Sequence, residues 1–413
     1  LYHVLLTEMY SSVLKRGWLS LGCCGATSRA IHLSSAALLN KTVLYDFHVN
    51  NGGKMVPYAG YSMPVSYDKV GVAASHKHVR SACGLFDVSH MLQTRVHGPD
   101  RHKFLESLTV ADVTALKPDT GCLTLFTNED GGIIDDLIVT STSQDYLYVV
   151  SNAGCRAKDL ALLQQQVKRF TDSGSKVELE VRDCDALIAL QGPQAAAVLQ
   201  AACSEELSSL MFMSSVQCSV AGVEGCRVTR CGYTGEDGFE ISIPNDKAVS
   251  VCEALLSSKT AEVQPAGLAA RDSLRLEAGL CLYGNDITEQ TTPVQAALAW
   301  TIAKTRRTEG AFPGSKVILR ELKQKAAVRR VGLVSSGPPA RPPSQVVDQD
   351  GKLLGQVCSG CPSPSLGINV AMAYLPLSHV KAGTTVSIRV RDKLVPATVT
   401  KMPFIKSNYY TGK

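Results

Sequence analysis

Apolar and polar positions recur with readable periods over much of the chain. Between Ala157 and Phe170, the residues Leu160, Leu163, Val167 and Phe170 fall three or four apart, with Lys168 and Arg169 in the last turn, which predicts an amphipathic helix. The runs Leu137-Ile138-Val139-Thr140 and Tyr146-Leu147-Tyr148-Val149-Val150 flank a Ser-Gln-Asp turn and predict two strands. Phe239, Ile241 and Ile243 alternate with Glu240 and Ser242 after a glycine-rich turn, the pattern of a half-buried strand. Later, Val386, Ile388 and Val390 alternate with Ser387, Arg389 and Arg391, and a strand from Leu394 to Thr400 follows the Arg391-Asp392-Lys393 turn. Two stretches break the pattern: Lys304-Thr305-Arg306-Arg307 leads into Gly310 and Pro313, and 335–344 carries Gly337 and four prolines. Helices and strands mix before the first break and strands dominate after it. The expected architecture is therefore α+β, a body of sheets and helices followed by a smaller all-β barrel or jelly-roll domain.

Composition narrows the class. Hydrophobic residues are 45% and charged residues 19% of the 413, which is ordinary globular composition. No uncharged apolar run reaches the roughly 18 residues of a membrane span, so no membrane association is expected. The formal charge is +5 with basic residues scattered, which gives no footprint for nucleic acid. Fourteen cysteines are spread mostly singly, and a chain this long does not need disulfide staples, so reduced and mostly buried thiols are expected. Cys358-Ser359-Gly360-Cys361 is a lone CxxC beside Pro362 and reads as two loop thiols. From Met9, a plausible initiator, to Tyr45 there is no acidic residue, while Lys15, Arg16, Arg29 and Lys41 sit among Ser, Ala and Leu. That composition predicts a mitochondrial transit peptide over residues 1–38 and a matrix location, and mass spectrometry of the mature protein should find a start near Leu39.

Several chemistries lack their signature. There is no GxGxxG after a strand, no phosphate-binding P-loop, no GxSxG elbow and no HExxH, and His76 and His78 stand two apart, a spacing that does not converge on a helix. Neither a metal nor a nucleotide is expected.

Five segments carry a resemblance. They are Leu44-Tyr45-Asp46-Phe47-His48 with Gly53-Lys54-Met55-Val56-Pro57; Leu85-Phe86-Asp87-Val88-Ser89-His90-Met91; Asn128-Glu129-Asp130-Gly131-Gly132-Ile133-Ile134-Asp135-Asp136; Arg230-Cys231-Gly232-Tyr233-Thr234-Gly235-Glu236-Asp237-Gly238-Phe239-Glu240; and Gly267-Leu268-Ala269-Ala270-Arg271-Asp272 onward to Tyr283-Gly284-Asn285-Asp286. In order and spacing they resemble the folate-binding aminomethyltransferase superfamily, and over about 43–413 the T-protein family of the glycine cleavage system. The resemblance implies a two-lobed folate-binding body over 43–304 and a C-terminal barrel over 305–413. It also implies the reaction: the one-carbon unit of an aminomethyl group on the dihydrolipoyl arm of the H-protein passes to tetrahydrofolate, with release of ammonia. Tetrahydrofolate is then the acceptor substrate, and the other glycine cleavage components are indirect partners.

Site residues follow from the matching positions. Asp136, the second Asp of its pair, is expected to face the pterin, because adjacent strand residues point opposite ways and a carboxylate accepts from pterin donors. Asp135 would then face elsewhere. Glu240 lies on the less apolar face of its strand, where alternation alone suggests a solvated carboxylate; the matching family position binds the pterin ring. Arg271 matches a residue near the folate tail, where a guanidinium fork suits a carboxylate. Tyr409 matches a folate-contacting position, Tyr233 sits in a turn where an aromatic ring can stack, and Met91, Leu123 and Asn152 are candidates for the pocket wall. Lys304, Arg306 and Arg307 are either a docking patch for the H-protein or, more simply, a solvated charge run.

Two alternatives remain. Folate-dependent demethylases of dimethylglycine or sarcosine place this module behind a flavin domain, for which the chain has neither length nor fingerprint. A folate-binding accessory protein of iron–sulfur assembly carries a Lys-Gly-Cys-Tyr-x-Gly-Gln-Glu signature, and here Gly232-Tyr233-Thr234-Gly235-Glu236-Asp237-Gly238 stands in its place.

Overall fold

The computed structural model describes residues 39–412, so the leader expected over 1–38 lies outside the described residues. Two sheets form the body. The first has five antiparallel strands in the order Thr120–Thr127, Ile133–Ser141, Tyr146–Ser151, Leu92–His97 and Glu178–Val181. The second has six, Ser215–Val220, Val223–Thr229, Gly238–Pro244, Asp185–Gln191, Cys83–Asp87 and Val263–Pro265, with one parallel pair at the Val263–Pro265 edge.

Strand alternation sorts the side chains into layers. In the first sheet Phe126, Leu137, Val139, Leu147 and Val149 pack with Phe104, Leu105 and Leu163, which come from helices Arg101–Glu106 and Arg156–Asp172. In the second, Ile188, Leu190, Phe239, Ile241 and Ile243 pack with residues of helices Ala195–Gln200 and Ala248–Leu256. The opposite faces meet each other: Tyr146, Tyr148 and Val150 of the first sheet pack with Phe86, Leu187 and Ala189 of the second. Helices therefore lie outside and the two sheets enclose the space between them.

Helix Leu268–Glu277 ties this body to the rest. Its Ala270 and Leu274 join the inter-sheet core, and its Leu276 packs with Cys361, Val370 and Met372. Those three belong to a closed six-stranded barrel, Val328–Ser335, Asn369–Pro376, Leu353–Pro362, Gln345–Val347, Thr385–Val390 and Lys393–Thr400. Between body and barrel, helices Lys304–Glu309 and Ser315–Gln324 flank Phe312, and Phe312 and Ile318 pack with Val110, Leu125 and Ile133 of the body. After the barrel the chain returns: Phe404 N–H donates to the Glu277 carbonyl, Asn408 N–H to that of Gly235, and Phe212 N–H to that of Tyr410.

Some sequence expectations change. The helix around residue 160 runs Arg156–Asp172, but its fully buried residues are Asp159 and Leu163, and Leu162, not Leu160, packs on the core beside Val167 and Phe170. The CxxC is not in a loop: Cys358 and Cys361 lie in the barrel strand Leu353–Pro362, whose Gly, Ser and Pro content hid it, and burial pushes the Cys361 thiol up to about 12. Arg306 is neither a docking residue nor solvated. It is buried, and its guanidinium donates to the carbonyls of Glu106 and Ala311, fixing the connector to the body.

Candidate functional site

The inner faces of the two sheets leave a narrow cleft lined by Ile138, Thr140, Tyr148 and Val150 on one side and Leu187, Arg227, Thr229, Cys231 and Glu240 on the other. Asp136 precedes Ile138 on the same face of its strand, and Leu123 is paired with Ile138 in the neighbouring strand, so both belong to this side. The strand starts where it does because of its glycines. Gly131 has φ +81°, and a Cβ on Gly132 would lie 1.7 Å from the Glu289 carbonyl oxygen.

Asp135 faces the other way, into the layer under helix Arg156–Asp172, where it is fully buried. Asn152 stands between the two carboxyls. Its Nδ2 donates to Asp135 Oδ1, to Asp136 Oδ1 and to the Asp136 carbonyl, each at 2.9 Å, and its backbone N–H donates to Asp135 Oδ2 at 2.9 Å. Asp135 is thus no bystander to Asp136, as strand alternation alone suggests; it shares an anchor with it. Burial and the neighbouring Asp135 carboxyl push Asp136 up to about 7.

Across the cleft, Glu240 is buried, not solvated, because its face of the strand meets the first sheet rather than water. Burial raises its carboxyl and the nearby Arg271 guanidinium pulls it back. Arg271 lies 4.7 Å over the ring of Tyr233, whose hydroxyl donates to the Cys281 carbonyl, and its buried Nη1 meets no acceptor among the described residues. Met91 packs against the apolar cluster that includes Val88, Tyr148 and Ala270. Tyr409 is further out. Its ring stacks on Phe212 at 4.2 Å and 20°, so one face is occupied, and it lies within electrostatic range of Arg80, Glu236 and Cys231.

Three contributors escaped the sequence reading. His90, next to Met91 in its motif, is buried with its ring edge-on to Tyr58 at 5.5 Å; burial holds it down at about 4, hence neutral, and its Nδ1 meets no partner among the described residues. Tyr58, at the tip of the Gly53–Tyr58/Tyr61–Tyr67 hairpin, is in range of Arg271. Arg227 is buried on the cleft wall, donating to Ser215 Oγ and the Tyr146 hydroxyl. Only His90 had a signal, a polar residue inside an apolar motif.

Arg271 Nη1 and His90 Nδ1 are left without partners among the described residues, and the carboxyls of Asp136 and Glu240 belong to the inner faces of the two sheets, one to each.

A pH test follows from Asp136. Its folded pKa is raised above the unfolded carboxylate value of about 4, so between about 4 and 7 the folded state holds the extra proton. This group's contribution to stability is present below about pH 4 and is lost as pH rises through about 7. The melting temperature of the unliganded protein, minus that of Asp136→Asn, should therefore fall as pH rises across that window. A flat difference would contradict the raised pKa.

Known proteins resemble the chain across both its body and its barrel. Residues 44–306 match the family model of the GCVT N-terminal domain, and 329–406 that of the glycine cleavage T-protein C-terminal barrel domain. The mitochondrial aminomethyltransferase of Gallus gallus is 55% identical over 393 residues, 95% of this chain and 99% of that protein. That of Homo sapiens is 57% identical over 376 residues, 91% and 92%. The crystal structure of the glycine cleavage system aminomethyltransferase T from Bartonella henselae superposes with a TM-score of 0.84 at 39% identity, covering 90% of this chain and all of that one. With both halves of the chain matched and this identity sustained over nearly the full length of its relatives, the chain belongs to the aminomethyltransferase (T-protein) family of the glycine cleavage system.

Proposed function

We propose that this aminomethyltransferase binds tetrahydrofolate in the inter-sheet cleft and takes its one-carbon unit from the aminomethylated dihydrolipoyl arm of the H-protein, in the mitochondrial matrix. The observation that carries the reading is the pair of carboxyls on the facing sheets, Asp136 and Glu240, with Arg271 beside Glu240, stacked on the Tyr233 ring and offering a buried Nη1 that meets no acceptor among the described residues. The carboxyls accept from the amide and amino donors of the pterin, and Arg271 binds the carboxylate-bearing tail or a ring carbonyl.

In the reaction the carbon loses its bonds to the lipoyl sulfur and to the amino nitrogen and gains bonds to two folate nitrogens. The two protons those nitrogens release leave on ammonia and on the thiol. The protein supplies no covalent nucleophile in this reading. It holds the folate nitrogen beside the aminomethyl carbon, which converts a bimolecular step into a local one and is worth several kcal/mol, about 7–11 in well-oriented cases. Asp136, half-protonated near neutrality, is suited to hold or pass a proton at that nitrogen.

The experiment is to supply aminomethylated lipoyl carrier and tetrahydrofolate and to follow methylenetetrahydrofolate and ammonia together. Folate-dependent release of both is expected; folate binding without either product would favour an accessory role. Glu240→Gln turns one acceptor into a donor facing pterin donors. Folate affinity should fall about tenfold or more, since hydrogen bonds to charged groups are worth about 1.5–3 kcal/mol, as titration calorimetry can measure.

A further inference from the structure

Behind the folate-facing wall lies a second carboxyl pair that the reaction as proposed does not use. Asp159 follows Cys155 and precedes Leu163 at four-residue steps, so it sits on the buried stripe of its helix and is fully buried. Neither of its oxygens is met by a described donor in hydrogen-bonding geometry. What faces it is the Asp135 carboxyl, within bonding reach, with Ser151 and Lys158 alongside and Asp136 beyond. Lys158 draws on it electrostatically but gives it no hydrogen bond, because its ammonium donates to the Tyr283 hydroxyl at 2.5 Å and to Glu289 at 3.0 Å. Asp135, by contrast, accepts from Asn152 at both oxygens. Two buried carboxyls in contact, with no cation bonded to either, strongly disfavour being ionised together, because their repulsion is poorly screened there. A single proton between them removes the repulsion and supplies the donor that Asp159 lacks.

We infer that Asp159 and Asp135 hold one proton between them and form a positioning unit that, through Asn152, sets the orientation and charge of Asp136. The inference rests on the folate reading of the cleft. Burial raises both carboxyls, Asp135 well above the carboxylate range, in keeping with a shared proton. Cys155 and Lys158 are the other titratable groups against the pair, and Asp286 and Tyr233 act on Asp136 from the far side. Asp159 touches no substrate in this scheme. It is a positioning residue.

The test compares two replacements of Asp159 across pH. Asp159→Asn offers a neutral N–H donor, imitating the protonated acid, and should cost only about threefold in kcat/KM. Asp159→Leu offers none. Asp135 must then carry the proton itself, Asn152 loses its charged anchor, and kcat should fall about thirtyfold with a smaller change in KM for tetrahydrofolate. Having lost a negative neighbour, Asp136 should titrate lower, moving the acid limb of kcat/KM down by about half a pH unit. Equal losses in the two variants, or an unmoved limb in Asp159→Leu, would overturn the inference. Should Asp159→Leu not fold, infrared difference spectra decide. Near about pH 8.5, where ordinary carboxyls are ionised, the wild type minus Asp159→Asn should show a free-acid carbonyl band. Its absence refutes the shared proton. A wild type that makes no methylenetetrahydrofolate would instead sink the functional reading, leaving the spectra to judge the pair.

Discussion

Asp136→Asn should lose about 10- to 100-fold in kcat/KM while melting no lower than the wild type near neutral pH. The amide oxygen can keep the bond from Asn152 Nδ2, so on the proposed folate pose the loss falls on the other position, which becomes a donor facing the pterin donors. A hydrogen bond to a charged group is worth about 1.5–3 kcal/mol, which gives the range. Stability is spared because the carboxyl is already pushed up to about 7 by burial and by Asp135, so a neutral group suits its surroundings. Asp135→Asn should behave oppositely. Asp135 accepts from Asn152 at both oxygens while fully buried, so an NH₂ there meets an N–H head-on, and about 1–3 kcal/mol of stability is lost first. Methylenetetrahydrofolate formation at saturating carrier and denaturant midpoints, measured on both variants, separate the two. Near-normal rates for Asp136→Asn would remove it from the chemistry.

The largest stability effect is expected at Arg275. Its side chain is 2% exposed and donates to Asp286 at 2.5 Å, Asp272 at 2.7 Å and Ser359 at 2.9 Å, the last on a barrel strand. Burial would raise Asp286, and Arg275 holds it below the usual carboxylate range. Arg275→Met leaves that fully buried carboxylate without its bonded cation, with the Leu282 N–H and the more distant Arg330 offsetting part of the charge. Breaking a buried pair typically costs about 3–5 kcal/mol. Asp272 is 39% exposed on its side chain and can turn to water, so it adds little. The double variant Arg275→Met with Asp286→Leu should recover much of the loss, because well-packed apolar groups often replace a buried ion pair without penalty. Urea midpoints at constant m-value would report both. A single variant within about 1 kcal/mol of wild type would show that the pair carries no stability.

Periodicity revealed the strands Ile133–Ser141, Tyr146–Ser151, Gly238–Pro244, Thr385–Val390 and Lys393–Thr400 because alternation is imprinted residue by residue. It could not reveal that the Glu240 face meets a second sheet. A strand pattern distinguishes more from less apolar faces, not water from a lined cleft. The barrel strand Leu353–Pro362 was hidden by its Gly, Ser and Pro residues, and Arg306 by neighbours that look like a surface charge run. Asp159 was legible in principle: a carboxylate at a four-residue step before a core leucine is out of place on a buried stripe. Its partner Asp135 lies 24 residues earlier on another element, and no local pattern records that meeting. The family motifs located Asp136, Glu240 and Arg271 in the sequence; only the packing sets Arg271 beside Glu240 and puts Asp136 on the inner face of the opposite sheet.

The segment after the barrel has a consequence for the order of synthesis. Asn408 N–H reaches back to the Gly235 carbonyl, Phe212 N–H takes the Tyr410 carbonyl, and Tyr409 stacks on Phe212 beside the cleft. A chain emerging N-terminal end first at about 5–20 residues per second can pack both sheets before residue 330 is made. Yet the contacts of the returning segment on Gly235 and Phe212 stay unmade until the barrel has been synthesised. A nascent chain stalled within the barrel should hold folded sheets but lack the Tyr409–Phe212 stack, which forms only after residues 408–410 have left the ribosome.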